Sequence, residues 1–271
     1  MFDLAASDPR HQRVKGRAAV TFGEGGRLSG LAQSGSAKAM LPKMHGRAPE
    51  VVFLNTAGGL TGGDWLDYAV ELRGGTAVAT TQTAERAYRS AGGSARVRTR
   101  LSLGPGATLH WLPQELILFE GASLERTLEV DMASDARFVM LETLVLGRAA
   151  MGETLARLRL RDRRRVTRAG RPVLIEGAFL DDADLARAGA AGLDRAVAVA
   201  SLSLLSGDAG DRLGAIRAAL PGGDEVRAAA SAWDGRLTVR FMARDAWPLR
   251  RAVARAVAAL TGTPLPRVWQ I

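Results

Sequence analysis

The sequence predicts a mainly β protein, a layered or coiled sheet body with a small α+β C-terminal portion and few helices. Three observations carry this. From about residue 51 to 178 the dominant hydrophobic period is two, the signature of half-buried strands. These segments are short, punctuated by turn residues and free of intervening helical patterns, which argues against βαβ units. From residue 196 onward the pattern changes to helical spacing mixed with a hairpin signal. No linker composition separates the two regions. A single body over 1–271 is therefore expected, with 51–178 as its β-rich part and 196–271 as an α+β portion packed on it.

Taken in order, residues 1–50 start polar and basic, alternate from Arg17 to Phe22, and are then broken by Gly and Pro. Val51 to Leu54 is a compact apolar strand. Asp67 to Leu72 alternates and ends at the Arg73-Gly74-Gly75 turn, and Thr76 to Thr81 follows as the next strand. Ala95 to Leu103 alternates Arg and Thr with apolar residues up to the Gly104-Pro105-Gly106 turn. Ala107 to Leu112, Leu116 to Phe119, Leu124 to Val130, Arg137 to Leu146, Thr154 to Arg161 and Pro172 to Ala178 continue the series. Ala196 to Leu205 reads as a buried strand, and Asp211 to Leu220 as a helix stopped by Pro221-Gly222-Gly223. Val226 to Trp233 and Arg236 to Ala243 flank Asp234-Gly235, a strong hairpin dipeptide. Asp245 to Leu260 is an amphipathic helix with Gly262 beyond its end. The tail Pro264 to Trp269 is expected to be a non-helical docked extension.

The chain has 271 residues, 47% of them hydrophobic, which supports a real core and rules out a disordered chain. It has no cysteine, which removes disulfides, thiolate metal sites and Cys nucleophiles. There is no apolar run of about 18 residues and no apolar leader at the N-terminus, so no membrane contact and a cytoplasmic location are expected. Lys plus Arg number 37 against 28 acidic residues, for a net charge of +9. The only lysines are Lys15, Lys38 and Lys43, so the excess is almost all arginine. Arginine's planar fork suits bidentate contact with carboxylates on a partner surface.

The loop Gly58-Gly59-Leu60-Thr61-Gly62-Gly63-Asp64 has two readings. Glycine N–H groups can close on a phosphate, but no Gly-Lys-Ser/Thr follows and no helix is expected after it. The alternative is a strand-to-strand turn that needs positive φ or close backbone approach. His11, His45 and His110 are widely spaced and form no ligand motif. His110, beside Trp111 on an alternating segment, reads as a partly buried strand residue. Glu142 stands in the apolar run Met140 to Val145, so it either faces solvent or is buried with a partner, Arg148 and Glu153 being its nearest candidates. No nucleophile motif or distinguished acid pair is present. The basic run Arg157 to Arg171 alternates with Leu158, Leu160 and Val166, which suits a strand with one charged face. It has none of the interleaved aromatics that a single-stranded nucleic-acid platform uses.

Several segments together resemble one family. They are Asn55-Thr56-Ala57-Gly58-Gly59-Leu60-Thr61-Gly62-Gly63-Asp64, Thr80-Thr81-Gln82 through Tyr88-Arg89-Ser90, Trp111-Leu112-Pro113-Gln114-Glu115 through Phe119-Glu120-Gly121, Gly147-Arg148 through Gly152-Glu153, and Pro266-Arg267-Val268-Trp269. In this order, from about residue 51 to the end, they resemble the urease accessory protein D family, also called UreD or UreH. Two positions depart from its pattern: Arg86-Ala87 stands where a Lys is usual before Tyr-Arg-Ser, and Glu120 stands where the family has Asp.

The resemblance implies a cytoplasmic, non-enzymatic urease maturation factor with a β-helix-like body. It implies binding to the urease apoprotein, to a helical accessory protein F and, through it, to a GTPase accessory protein G. It also implies delivery of transient Ni²⁺ through a polar conduit, with no tightly bound cofactor and no catalytic residue. Asp64, from the signature loop, and Glu142 and Glu176, charges set in apolar strands, are the expected conduit residues; Thr80, Thr81 and Glu153 are secondary ones. A basic nucleic-acid-binding module and a hydrolase with dispersed carboxylates are the alternatives from other classes.

Overall fold

The structure is a computed structural model that describes residues 13–187, 189 and 192–269. Its strands are β1 (Lys15–Phe22), β2 (Leu28–Gly35), β3 (Ala37–Met40), β4 (Glu50–Asn55), β5 (Trp65–Leu72), β6 (Thr76–Thr81), β7 (Glu85–Ala87), β8 (Ala95–Leu103), β9 (Thr108–Leu112), β10 (Leu116–Leu118), β11 (Ala122–Met132), β12 (Arg137–Leu146), β13 (Leu158–Arg168), β14 (Arg171–Leu180), β15 (Ala198–Leu205), β16 (Val226–Trp233) and β17 (Arg236–Ala243). The helices are α1 (Asp182–Ala186), α2 (Leu213–Ala219) and α3 (Ala246–Thr261).

The strands form two sheets. One runs β14-β13-β11-β8-β5-β1-β2, the other β16-β17-β15-β12-β9-β6-β4-β3, with β10 bridging β12 and β7. The chain coils between them. It leaves β5 in the first sheet for β6 in the second, returns to β8, crosses to β9, and returns again to β11. Each pass lies parallel to the last, as in the pairs β5–β8, β8–β11 and β11–β13, and β6–β9 and β9–β12. This is the expected β-helix-like body. Successive passes stack residues in register: Tyr68 lies beside Thr99, Thr99 beside Leu128, and Leu128 beside Arg164.

Burial follows from the period of two. Between the sheets lie Phe22, Phe53, Leu66, Leu109, Phe138 and Met140, all fully buried. Strand β12 is buried on both faces. Phe138, Met140 and Leu144 point between the sheets, while Val139, Leu141 and Val145 point at a second core formed with α2 and α3. Helix α3 supplies Leu249, Val253, Val257 and Leu260 to that core. Asp245 caps its first turn by accepting from Trp247 N, and Gly262 ends it with φ +64°. The Asp234-Gly235 hairpin has φ of +48° and +69°, as its dipeptide predicts. At the corner between β5 and β6, Gly75 has φ +76°, and a Cβ there would crowd the Gly25-Gly26 backbone at 3.0 Å.

The structure differs from the sequence reading at the following points. The stretch after Phe22 holds strands β2 and β3; β2 is an almost wholly exposed edge strand, so no burial pattern marks it. The strand expected over Thr154 to Arg161 starts at Leu158 and runs on to Arg168, because the charged positions continue the pleat. A short 3₁₀ turn at Ala209–Arg212 precedes α2. The tail was expected to lack helix, yet Arg267–Trp269 closes a 3₁₀ turn in which Trp269 N donates to Pro266 O at 2.9 Å. Proline lacks a donor but accepts normally, so it can open such a turn.

Candidate functional site

Between the two sheets, inside the coil, lies a cavity of about 170 Å³. Tyr68, Glu85, Trp111, Arg126, Glu142 and Asp162 are among its polar lining, with Asn55 and Arg86 beside Glu85; Gly58 and Gln82, from the loops at one end of the coil, border it as well. Each polar side chain reaches the interior because its strand position has inward parity. On β13, Leu158, Leu160 and Val166 point in and Arg159, Arg161, Arg163 and Arg165 point out, so Asp162 and Arg164 are carried into the core.

These inward charges form one continuous chain. Trp111 Nε1 donates to Glu142 Oε1 at 3.1 Å. Arg126 Nη2 lies 2.8 Å from Glu142 Oε2 as an ion pair and donates to Asp162 Oδ2. Arg164 Nη2 meets the same Asp162 oxygen at 2.7 Å, and its Nη1 lies 3.5 Å from Glu176 Oε2. Arg240 Nη2 lies 3.3 Å from Glu176 Oε1 and is 73% exposed, which brings the chain to solvent at the sheet edge. Three acids are thus matched by three arginines. Asp162 is 2% exposed; burial alone would raise its pKa, but Arg126 and Arg164 hold it below the ordinary value. The Nε atoms of Arg126 and Arg164 are buried with no hydrogen-bond partner.

Glu85 stands apart. Its carboxylate accepts from Asn55 Nδ2 at 3.4 Å and from the Arg86 N–H at 3.2 Å, and it forms no guanidinium bridge among the described residues. Burial pushes its pKa up to about 7. The Tyr68 phenol is pushed up as well, by burial first and by Glu85 second. In the unfolded chain Glu85 ionises near its ordinary value of 4.5, whereas in the fold it keeps its proton to about 7. Its contribution to stability is therefore present in acid and lost as pH rises through that interval. Glu85→Gln is expected to gain thermal stability relative to wild type at pH 8 but not at pH 4.5. Parallel melting curves at both pH values would deny this burial cost.

The residues expected from sequence fall in different places. Glu142 and Glu176 belong to the same ion-pair chain. The company expected for Glu142 is corrected: its partners are Arg126 and Trp111, whereas Arg148 and Glu153 pair with each other on the surface at 2.9 Å. Thr81 borders the cavity and accepts from Gln114 N at 2.9 Å. Asp64 is buried away from the cavity lining; its two oxygens accept from Val14 N and Thr61 N, each at 2.8 Å, which staples the glycine loop. Thr80 donates to Leu112 O at 2.6 Å and accepts from Trp269 Nε1 at 3.1 Å, which anchors the tail. Glu153 also accepts from Glu120 N at 3.2 Å.

Glu120, the departure from the family's Asp, accepts from Ala156 N, Arg157 N and Arg157 Nε; the two backbone donors lead in holding its carboxyl down to about 2. Arg86, the other departure, reaches Gly58 O at 3.4 Å. The glycine loop is a turn, not an anion cradle. A Cβ at Gly59 would overlap the Tyr88 ring, and one at Gly62 would overlap Ser90 Oγ. His110 is buried and burial lowers its pKa to about 4, so it is neutral; His45 is exposed, and His11 lies outside the described residues. Among the described residues no three of His, Asp and Glu gather as a metal site, and no helix is long and apolar enough to cross a membrane.

Sequence reasoning missed Arg126, Asp162 and Glu85. The signal for Asp162 was available: it shares parity with Leu158 and Leu160 inside an arginine run. The signal for Arg126 was absent, since its partners come from other passes of the coil.

Fold and site together define a coiled-sheet scaffold with a charge-balanced polar interior. Residues 14–270 match the family model for the UreD urease accessory protein. The chain is 64% identical over 268 residues to the urease accessory protein UreD of Jannaschia sp. strain CCS1, spanning 99% of this chain and 100% of that protein. It is 54% identical to that of Cereibacter sphaeroides strain ATCC 17025, over 98% of this chain and 99% of that one. With that of Paracoccus denitrificans strain Pd 1222 it shares 52% identity, over 100% of this chain and 97% of that one. The chain belongs to the UreD urease accessory protein family; it is a urease maturation factor and not an enzyme.

Proposed function

We propose that this chain is a cytoplasmic scaffold that docks apo-urease with the helical accessory protein F and the GTPase accessory protein G. In that assembly it passes Ni²⁺ through its interior to the urease metallocentre. The observation that carries the reading is the unbroken polar chain from the cavity, through Glu142, Arg126, Asp162, Arg164 and Glu176, to exposed Arg240. Passage needs sites favourable enough to enter and weak enough to leave. Scattered carboxylate oxygens meet that need for a cation that binds clustered imidazole or thiolate more firmly. Arg159, Arg161, Arg163 and Arg165 on the outer face of β13 suit docking on an acidic protein surface.

The test is urease co-expressed with the accessory proteins and the Glu142→Gln/Glu176→Gln variant. Nickel per urease active site is expected to fall about tenfold, the scale of lost outer ligands at metal sites, while the variant still co-purifies with the complex. Full loading by the double variant rejects the path. Asp64→Asn is the comparison, since its oxygens hold a loop and its effect is expected on folding yield.

A further inference from the structure

We propose that Arg126 is an exchangeable counter-ion: it closes the Glu142–Asp162 pair in the empty protein and crosses the cavity to Glu85 when a divalent cation takes its place. The inference rests on the path reading above and names the site and the gate within it.

The geometry makes the exchange possible. One nitrogen, Arg126 Nη2, bridges Oε2 of Glu142 on β12 and Oδ2 of Asp162 on β13, so two carboxylates from facing sheets already converge on one cation. Both acids are nearly sealed, with side chains 7% and 2% exposed, while Arg126 is 17% exposed and lines the cavity. Metal–oxygen bonds are shorter than the 2.8 Å contact at Glu142, at about 2.1 Å, so each carboxylate draws in by under about 1 Å. Trp111 Nε1 occupies the other oxygen of Glu142 and keeps Oε2 aimed at the site. Arg164 stays on that same Asp162 oxygen, at 2.7 Å, and tethers it during exchange, which leaves Asp162 Oδ1 free to turn to the cation.

Arg126 is held imperfectly. Its Nε is buried without an acceptor, an uncompensated desolvation that favours leaving. Glu85 lines the same cavity and is the carboxylate there without a guanidinium partner among the described residues. The cavity, about 170 Å³, has room for several waters and hence for a moved guanidinium. A guanidinium arriving at Glu85 pairs a buried carboxylate that now bears its burial cost alone. As the guanidinium arrives, the Glu85 carboxyl gives up its proton to solvent and pairs with it; two charges enter with the cation against one proton released, so the site carries one net positive charge while loaded.

The experiment titrates the purified full-length chain with NiCl₂ by calorimetry, with Glu142→Gln/Asp162→Asn defining background binding elsewhere. Arg126→Gln removes the competitor, and Ni²⁺ is expected to bind about tenfold tighter than to wild type, a change of ~1.4 kcal/mol. Glu85→Gln removes the alternative station, and binding is expected to weaken about tenfold. Glu85→Asp should restore most of it. In co-expression both Arg126→Gln and Glu85→Gln lower urease nickel, the first by holding the ion and the second by not admitting it. Ni²⁺ binding to Arg126→Gln no tighter than to wild type, or to Glu85→Gln no weaker, overturns the exchange. If Arg126→Gln does not fold, Arg126→Lys, which keeps the buried charge but cannot bridge as well, is expected to tighten binding about threefold, and no tightening there overturns the exchange equally. The two readings fail separately: unchanged Arg126 and Glu85 variants beside a nickel-starving Glu142→Gln/Glu176→Gln reject the gate alone, whereas full urease loading by that double variant rejects the path.

Discussion

Asp162→Ala is expected to lower unfolding stability by about 3–5 kcal/mol, the cost of leaving a buried charge without its partner. Asp162 is 2% exposed and carries both Arg126 and Arg164 on one oxygen. Its removal leaves two guanidinium groups in the core. Arg164 then keeps only the 3.5 Å contact to Glu176, and Arg126 keeps only Glu142. Water cannot easily repair this, because Arg164 is itself only 8% exposed. Asp162→Asn retains shape and one acceptor and is expected to fall between wild type and alanine, which separates charge from packing. Urea unfolding is the measurement: the midpoint should drop by about 1 M or more in the alanine variant at unchanged slope. A loss under about 1 kcal/mol, the size of a solvated surface pair, would mean that water reaches the whole ion-pair chain.

The sequence was legible where burial is one-sided and local. Asp67 to Leu72 and Ala95 to Leu103 alternate, and both are strands at those bounds or close to them. Strand β2 was not legible because it is an edge with almost every side chain exposed, so no periodicity was written into it. Helix α1 is five residues long and buries none of them, and its capping box at Asp181 and Asp184 is its only mark. Glu142 was recognised as a charge needing a partner, but nearness in sequence pointed to Arg148 and Glu153. The true partner, Arg126, reaches Glu142 across the gap between the facing sheets, which no local spacing encodes. The arginine run hid its inward members for a similar reason: only parity with Leu158, Leu160 and Val166 distinguishes Arg164 from its outward neighbours Arg163 and Arg165. Asp64 shows the opposite case. Its place in a signature loop drew attention to the residue, and its two oxygens are occupied by backbone donors.

Arg250→Ala is expected to cost about 2–4 kcal/mol and to free the C-terminal tail, because one side chain joins three distant segments. Arg250 Nη1 donates to both oxygens of Glu115 at 2.6 and 2.8 Å. Its Nη2 donates to Gln114 Oε1 at 3.2 Å and to Trp269 O at 3.1 Å, and its guanidinium sits 4.9 Å from the Trp269 ring centroid. The Trp-Leu-Pro-Gln-Glu block, helix α3 and the tail therefore meet at one planar group, with Gln114 Nε2 also reaching Val268 O at 3.3 Å and Trp269 Nε1 reaching Thr80. The arginine and Glu115 side chains are 18% and 14% exposed, so the pair is worth more than a surface bridge. A lysine offers one point charge and no planar fork, so Arg250→Lys should recover less than half of the loss. Limited trypsin digestion gives the local readout: release of the tail opens the bond after Arg267, which lies in a closed 3₁₀ turn in the wild type. Arg250→Ala should be cut there well below its melting temperature, while Trp247→Ala, on the exposed side of α3, should be as resistant as wild type. If Arg250→Lys proves as stable and as resistant as wild type, the tail is held by Trp269 burial alone and the forked contact contributes nothing to it.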